Sequence, residues 1–194
     1  MMATTAAASR SRYSQVAIVL HWTIALLIIG NLIGGIVLGN DWLTGSLKLT
    51  TLGLHQSFGL TILGLSLVRL TWRLTNPPPS LPRDMSAAEH LLAKSTHWLF
   101  YGFMILIPLA GWAMSSANPK NFPIPYFWLF NVPHLPVLMS RANSHQYNQI
   151  HEYLAYAAIA TLALHISGAL KHQYIDRDDV LARMAPWVKR KLAR

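Results

Sequence analysis

The stretch Gln149–His172 reads QIHEYLAYAAIATLALHISGALKH and decides the fold. Between Glu152 and Lys171 it holds 18 uncharged residues, which as a helix are long enough to cross most of a bilayer core. His151 and His165 bracket the stretch, 14 positions apart. Because this spacing is close to four helical turns, both imidazoles point to nearly the same face, about 21 Å apart along the axis. Histidine is costly inside a membrane, so both positions indicate a functional site.

The composition of the whole chain is that of a membrane protein. Of its 194 residues, 53% are hydrophobic and 12% are charged, whereas soluble domains carry about 25% charged residues. The length predicts a single domain over residues 1–194. Cysteine is absent, which excludes disulfides, iron–sulfur clusters and thiolate metal sites. The net charge of +9 does not indicate nucleic-acid binding, because the basic residues flank apolar stretches and form no basic helix.

Further apolar stretches predict an all-α fold, a four-helix transmembrane bundle. The predicted spans cover about 16–38, 49–72, 94–116 and 149–172. The second is followed by NPPPSLP, residues 76–82, whose prolines cannot continue a helix. A segment rich in prolines and aromatic residues separates the third span from the fourth. We expect it to form an outer loop with its aromatic side chains at the level of the lipid headgroups.

The basic residues predict the orientation of the bundle. An even number of spans places both termini on one side, and that side carries 13 lysines and arginines against 3 on the other. Basic loops stay in the cytoplasm, so we predict a multi-pass membrane protein with both termini cytoplasmic. The inner residues are Arg10, Arg12, Arg69, Arg73, Arg83, Lys94, Lys171, Arg177, Arg183, Lys189, Arg190, Lys191 and Arg194. The outer ones are Lys48, Lys120 and Arg141, which slightly outnumber Asp41 and Glu152 and would attract a small anion.

This orientation sorts the nine histidines by depth. His21 and His165 fall in the inner half of the bundle, and His55 and His151 fall near its outer end. Each of these four is followed four positions later by a small residue, which leaves space for a flat ring against the helix. The small residues are Ala25, Gly59, Ala155 and Ala169. We expect His90, His134, His145 and His172 to be solvated, in loops or at the surface.

The paired depths predict haem iron ligands. Two axial imidazoles give a six-coordinate haem that transfers electrons. We predict two haem b groups, with the inner iron held by His21 and His165 and the outer iron by His55 and His151. The alternative is a non-redox transporter whose histidines line a proton or ion path. The two matched depths favour the haem interpretation, and no HExxH motif indicates zinc.

Two further residues are candidates at the inner site. His97 lies at the inner end of the third span, where it would bond a haem propionate or a quinone, or cap the helix. Arg69 lies near the depth of the inner haem, where it would pair with a propionate. The alternative for Arg69 is a side chain that extends along the helix to place its charge at the membrane surface.

A series of short motifs runs through nearly the whole chain: Tyr13-Ser14, His21-Trp22, His55 with Gly59, VRLTWR before the prolines, His90 and His97 ahead of Tyr101, Pro108, Gly111-Trp112, His151-Glu152, and His165 before His172. In this order and spacing they resemble the bacterial cytochrome b561 family. The resemblance implies a small four-helix dihaem protein of the bacterial inner (cytoplasmic) membrane.

The family resemblance also implies candidate electron donors and acceptors. Its superoxide oxidase branch implies an oxidoreductase that takes electrons from superoxide at the outer face and passes them to membrane ubiquinone. Another branch implies a cytochrome b subunit that accepts electrons from a periplasmic dehydrogenase or hydrogenase. The residues do not decide between these donors, and they do not place a quinone site.

Overall fold

Four long helices form the framework of the protein. The computed structural model describes residues 12–82 and 85–188. Its long helices are α1 (Gln15–Gly39), α2 (Gly45–Thr75), α3 (Ala87–Ser116) and α4 (Arg141–Lys171). Each is long and apolar enough to cross a membrane, which confirms the predicted transmembrane bundle. Many large apolar side chains point outward, as Leu26 does at 70% exposure, and this is the surface expected of a protein surrounded by lipid.

The helices extend beyond the apolar stretches from which they were predicted. α3 begins at Ala87, where Ser86 and Glu89 form a capping box. α4 begins at Arg141, where the Ser140 side chain accepts a hydrogen bond from the Asn143 N–H. These polar first turns lie outside the apolar windows, so hydropathy alone places the helix starts too late.

Packing between neighbouring helices sets the arrangement of the bundle. α3 packs along α4, α1 along α2, and α2 along α3. Most of the interior is filled by small side chains and by a cluster around Ile24, Tyr101 and Met104. At the inner end, defined here as the end where α1 begins and α4 finishes, Lys171 bonds both Glu89 and Asp176. The Lys171–Glu89 ion pair joins the start of α3 to the end of α4.

The outer loop between α3 and α4 contains a small antiparallel hairpin. Strand β1 (Ile124–Tyr126) pairs with β2 (Phe130–Val132). The turn holds Phe127 and Trp128 with left-handed backbone angles, φ 48° and 59°. The strands were not predicted, because three residues each, one of them a proline, give too little pattern to recognise.

A buried serine ties this hairpin to α2. The Ser57 hydroxyl accepts a hydrogen bond from the Phe127 N–H at 2.8 Å and lies 3.0 Å from the Pro125 carbonyl. Gly53 lies one turn before Ser57, and a Cβ there would approach the Trp128 ring to 3.0 Å. The loop therefore has a fixed position on the helix that carries His55.

The C-terminal segment folds back under the inner end of the bundle. A π-helical turn (His172–Asp176) follows α4, and a short helix α5 (Val180–Met184) comes next. The Trp22 indole N–H donates to the Met184 carbonyl at 2.9 Å, and its ring lies 5.0 Å from that of Trp187. Arg10, Arg83, Lys189, Arg190, Lys191 and Arg194, which contribute to the predicted orientation, lie outside the described residues.

Candidate functional site

Four imidazoles form two pairs inside the bundle. The two rings of each pair lie close together, and one pair lies above the other. The ring centroids of His55 and His151 are 6.0 Å apart, and those of His21 and His165 are 6.3 Å apart. These are the pairs predicted from membrane depth. Two imidazoles that bind one metal ion from opposite sides, each with a bond of about 2 Å, hold their ring centroids about 6 Å apart. The spacing of both pairs therefore fits bis-histidine ligation of an iron.

The outer pair lies in a large cavity among the four helices. The cavity has a volume of about 760 Å³, within the range of ligand and cofactor sites. Its walls include both imidazoles together with Gly59 and Ala155, the small residues one turn beyond them. Ile124 of β1 lines it as well, so the outer hairpin forms part of its wall. The space, the small residues and the paired imidazoles fit a planar cofactor.

The hydrogen bonding of His151 also fits ligation. The Nδ1 of His151 lies 2.8 Å from the Ile107 carbonyl, to which it donates its proton. The lone pair of that ring is then on Nε2, the arrangement usual for a metal-bound histidine. His55 lies beside the Asn31 backbone, and its Nδ1 is buried without a well-formed hydrogen bond. The hydrogen bonding therefore supports ligation through Nε2 for His151 only.

Two glycines make room for the outer imidazoles. A Cβ on Gly111 would approach the His151 ring to 3.1 Å, and a Cβ on Gly35 would approach the His55 ring to 3.2 Å. Gly35 belongs to a run of glycines in α1 whose spacing favours close helix contact. The contacts of Gly35 and Gly111 with the imidazoles of His55 and His151 were not predicted, because they join positions far apart in the sequence.

The inner site contains a third imidazole. His97 of α3 lies 5.7 Å from His165 between ring centroids, and its Nδ1 lies 2.6 Å from the Ala93 carbonyl. Phe100 also packs against the His165 ring, 5.4 Å away. The helix-cap alternative for His97 therefore does not describe its position, since the side chain joins the His21–His165 cluster. Because Nδ1 of His97 is hydrogen-bonded within its own helix, Nε2 is the ring nitrogen that remains for other contacts.

Arg69 reaches into the same inner region. Its Nη1 donates to the Ala17 carbonyl at 2.8 Å, so the guanidinium is held against α1 one turn before His21. The Arg69 side chain also lies beside Tyr101, over whose ring the Arg73 guanidinium lies at 5.9 Å. Arg69 is thus held against α1 in the inner region of the bundle.

The structure corrects the expectation for three of the remaining histidines. His90 lies within α3 rather than in a loop, and it is half-buried. The Nδ1 of His134 is buried without a hydrogen bond, and the Nδ1 of His172 lies 2.7 Å from an Asp178 carboxylate oxygen. His145 is exposed on α4 as expected for a surface residue. Histidines in polar sequence still become buried where the chain folds back on itself.

Fewer basic side chains at the outer face are free to attract an anion than the sequence indicates. Lys48 forms an ion pair with Asp41, and this hydrogen bond lowers the pKa of the Asp41 carboxyl. Both groups are therefore charged at neutral pH and compensate each other. Lys120 lies over the Phe122 ring. The positive excess at the outer face consequently rests on Lys120 and Arg141 against Glu152.

Comparison with known proteins identifies the family. A family model described as prokaryotic cytochrome b561 matches residues 12–187. The chain belongs to this family and is an electron-transferring membrane cytochrome with b-type haem.

Three curated relatives match most of the chain. It is 28% identical over 173 residues to cytochrome b561 homolog 2 of Escherichia coli (strain K12), covering 89% of this chain and 90% of the relative. It is 29% identical over 182 residues to the probable superoxide oxidase CybB of Yersinia pestis, covering 90% and 96%. It is also 29% identical over 177 residues to cytochrome b561 homolog 1 of Escherichia coli (strain K12), covering 91% and 98%.

Proposed function

We propose that this protein carries electrons across the bacterial inner membrane through two haem b groups, from superoxide at the outer face to ubiquinone. The observation that carries the proposal is the pair of facing imidazole sets at two depths of one bundle. Family membership favours electron transfer over the ion-transporter alternative. When bound, each haem supplies an iron that accepts and releases one electron.

The proposed assignment of ligands is His55 and His151 for the outer haem and His21 and His165 for the inner one. α4 contributes one imidazole to each site, and its 14-residue spacing separates them by about 21 Å. α2 contributes the outer partner and α1 the inner partner. The chain thus holds both cofactors against one helix, and apolar helix surfaces exclude water between them.

Superoxide as the donor is supported by one of the relatives. The Yersinia pestis protein, 29% identical along most of both chains, is named a probable superoxide oxidase. Since Lys48 is paired with Asp41, the attraction of an anion rests on Lys120 and Arg141. Electrostatic steering by these two charges is modest.

The orientation with both termini in the cytoplasm is part of the proposal. It is supported by the excess of basic residues on the side of the termini. In this orientation the His55–His151 pair lies on the periplasmic side, where superoxide or a protein donor would arrive. The inner cluster of His21, His97 and His165 then lies on the cytoplasmic side.

Stopped-flow reduction tests the function. The purified oxidised protein should be reduced by superoxide and reoxidised by a soluble ubiquinone analogue, as followed by the haem absorption bands. A protein that holds haem but reacts with neither reagent would instead support the alternative, a cytochrome b subunit that needs a periplasmic dehydrogenase or hydrogenase partner. A purified protein without haem absorption after reduction by dithionite would overturn the haem assignment itself.

A further inference from the structure

The inner half of the bundle contains an arginine without a carboxylate partner. The ion pairs among residues 12–82 and 85–188 include neither Arg69 nor Arg73. Arg69 is held instead by a neutral oxygen atom, the Ala17 carbonyl at 2.8 Å, and lies beside the Tyr101 side chain. The carbonyl fixes the position of the guanidinium without cancelling its charge. Among the described residues, no carboxylate compensates this half-buried positive charge.

This charge lies beside the inner imidazoles. The Ala17 carbonyl that holds Arg69 is one turn before His21 on α1, and the guanidinium interacts electrostatically with His21 and His165. Lys48, which lines the outer cavity, is instead paired with Asp41. The two imidazole pairs are chemically alike, so this cation is a clear electrostatic difference between them.

A fixed cation favours the electron-rich form of a nearby redox centre. Reduction of an iron by one electron lowers its charge by one, and the resulting attraction is large where water is excluded. The hydrogen bond to the Ala17 carbonyl holds the guanidinium in place as the charge changes. A centre held by His21 and His165 should therefore be easier to reduce than one held by His55 and His151.

We propose that Arg69 raises the reduction potential of the inner haem and thereby directs electrons from the outer site to the inner site. The inference rests on the proposed dihaem function and adds a direction to it. Arg69 acts as a positioning charge, since its contacts in the structure are with the chain and not with a reacting molecule.

Redox titration of the purified full-length protein tests this role. Arg69→Gln should lower the midpoint potential of one haem by about 59 mV, equal to a tenfold change in the ratio of reduced to oxidised haem. Arg69→Lys keeps the charge and should restore most of the potential. The matched control is Lys120→Gln, which removes an exposed cation from the outer loop and should leave the inner potential unchanged.

The affected haem is identified in a His151→Ala background, which is designed to retain the inner haem alone. In this background Arg69→Gln should produce the same lowering. Unchanged potentials in Arg69→Gln, with both haems still bound, would overturn the inference and leave the dihaem function intact. Wild-type protein without two haems would overturn the proposed function itself. If Arg69→Gln does not fold, Arg69→Met, which retains the apolar stem, should lower the midpoint potential by the same amount. An unchanged midpoint potential in Arg69→Met would also overturn the inference.

Discussion

The outer and inner imidazole pairs use the same ligand chemistry in different surroundings. The His55–His151 pair lies in a cavity of about 760 Å³ that is lined in part by Ile124 of the surface hairpin. The His21–His165 pair lies beside a third imidazole and a buried arginine, with the C-terminal segment packed below it. In the proposed function the two pairs hold similar centres, so the surroundings would decide where electrons enter and where they collect. The outer site would then receive electrons and the inner site would retain them.

The largest expected effect comes from removing one ligand on the helix that both sites share. His151→Ala should lose the outer haem and His165→Ala the inner one, each leaving about half of the haem per polypeptide, because one axial ligand of each iron is gone. Quantification of haem after reduction with dithionite measures this. The control is His145→Ala, an exposed histidine on the same helix, which should keep all of the haem. Loss of both haems from either ligand variant would show that the two sites are not separate.

A smaller effect is expected from a single methyl group beside the outer pair. Gly111→Ala places a Cβ 3.1 Å from the His151 ring, which must turn or shift. Disturbing the atoms that orient a metal-bound histidine typically weakens metal binding by about 10–100-fold. We expect the outer haem of this variant to dissociate more readily during titration with a haem-binding competitor, while the inner haem stays bound.

Gly102→Ala is the matched control for this substitution. Gly102 lies on the same helix, and a Cβ there meets no atom within 4 Å. It should leave both haems bound as in the wild type. Equal haem loss from the two variants would mean that the change in α3 itself, and not the contact with His151, causes the effect.

The next largest effect is expected from loss of the hydrogen bond that holds the hairpin on α2. Ser57→Ala removes the hydroxyl that bonds the Phe127 N–H, and a buried donor left without a partner costs about 1–3 kcal/mol. The free energy of unfolding in denaturing detergent should fall by this amount. Ser46→Ala, at an exposed position of the same helix, should leave it unchanged. A decrease for Ser57→Ala that does not exceed that of Ser46→Ala would mean that the hairpin is not held through this hydroxyl.

The sequence predicts the spans and the two imidazole pairs because both depend on long-range regularities. Apolar length determines a span, and charge placement gives depth, so His21 is matched to His165 without any knowledge of contacts. The ends of α4 and the three-residue strands depend on local caps and on packing, which hydropathy does not detect. The pairing of each haem with its ligands stays a prediction.

Contacts between distant segments account for the features of the site that were not predicted. Gly111 and His151 are neighbours only after α3 packs on α4. The bond from Arg69 to the Ala17 carbonyl likewise requires that α2 pack on α1. Glycine on an apolar helix and arginine at a helix end each have common packing explanations in a sequence. Their relation to the imidazoles appears only in three dimensions.

The smallest expected effect distinguishes the third imidazole of the inner site from its two neighbours. His97 lies as near to His165 as His21 does, 5.7 Å against 6.3 Å between ring centroids, so distance alone permits either as the partner of His165. His97→Ala should keep both haems and shift only the absorption or electron paramagnetic resonance signal of the inner one, because a neighbouring polar ring is lost while both ligands remain. His21→Ala should lose the inner haem. The reverse result, with haem lost in His97→Ala and kept in His21→Ala, would make His97 of α3, and not His21 of α1, the partner of His165. The inner haem would then lie between α3 and α4, and the outer haem would still lie between α2 and α4.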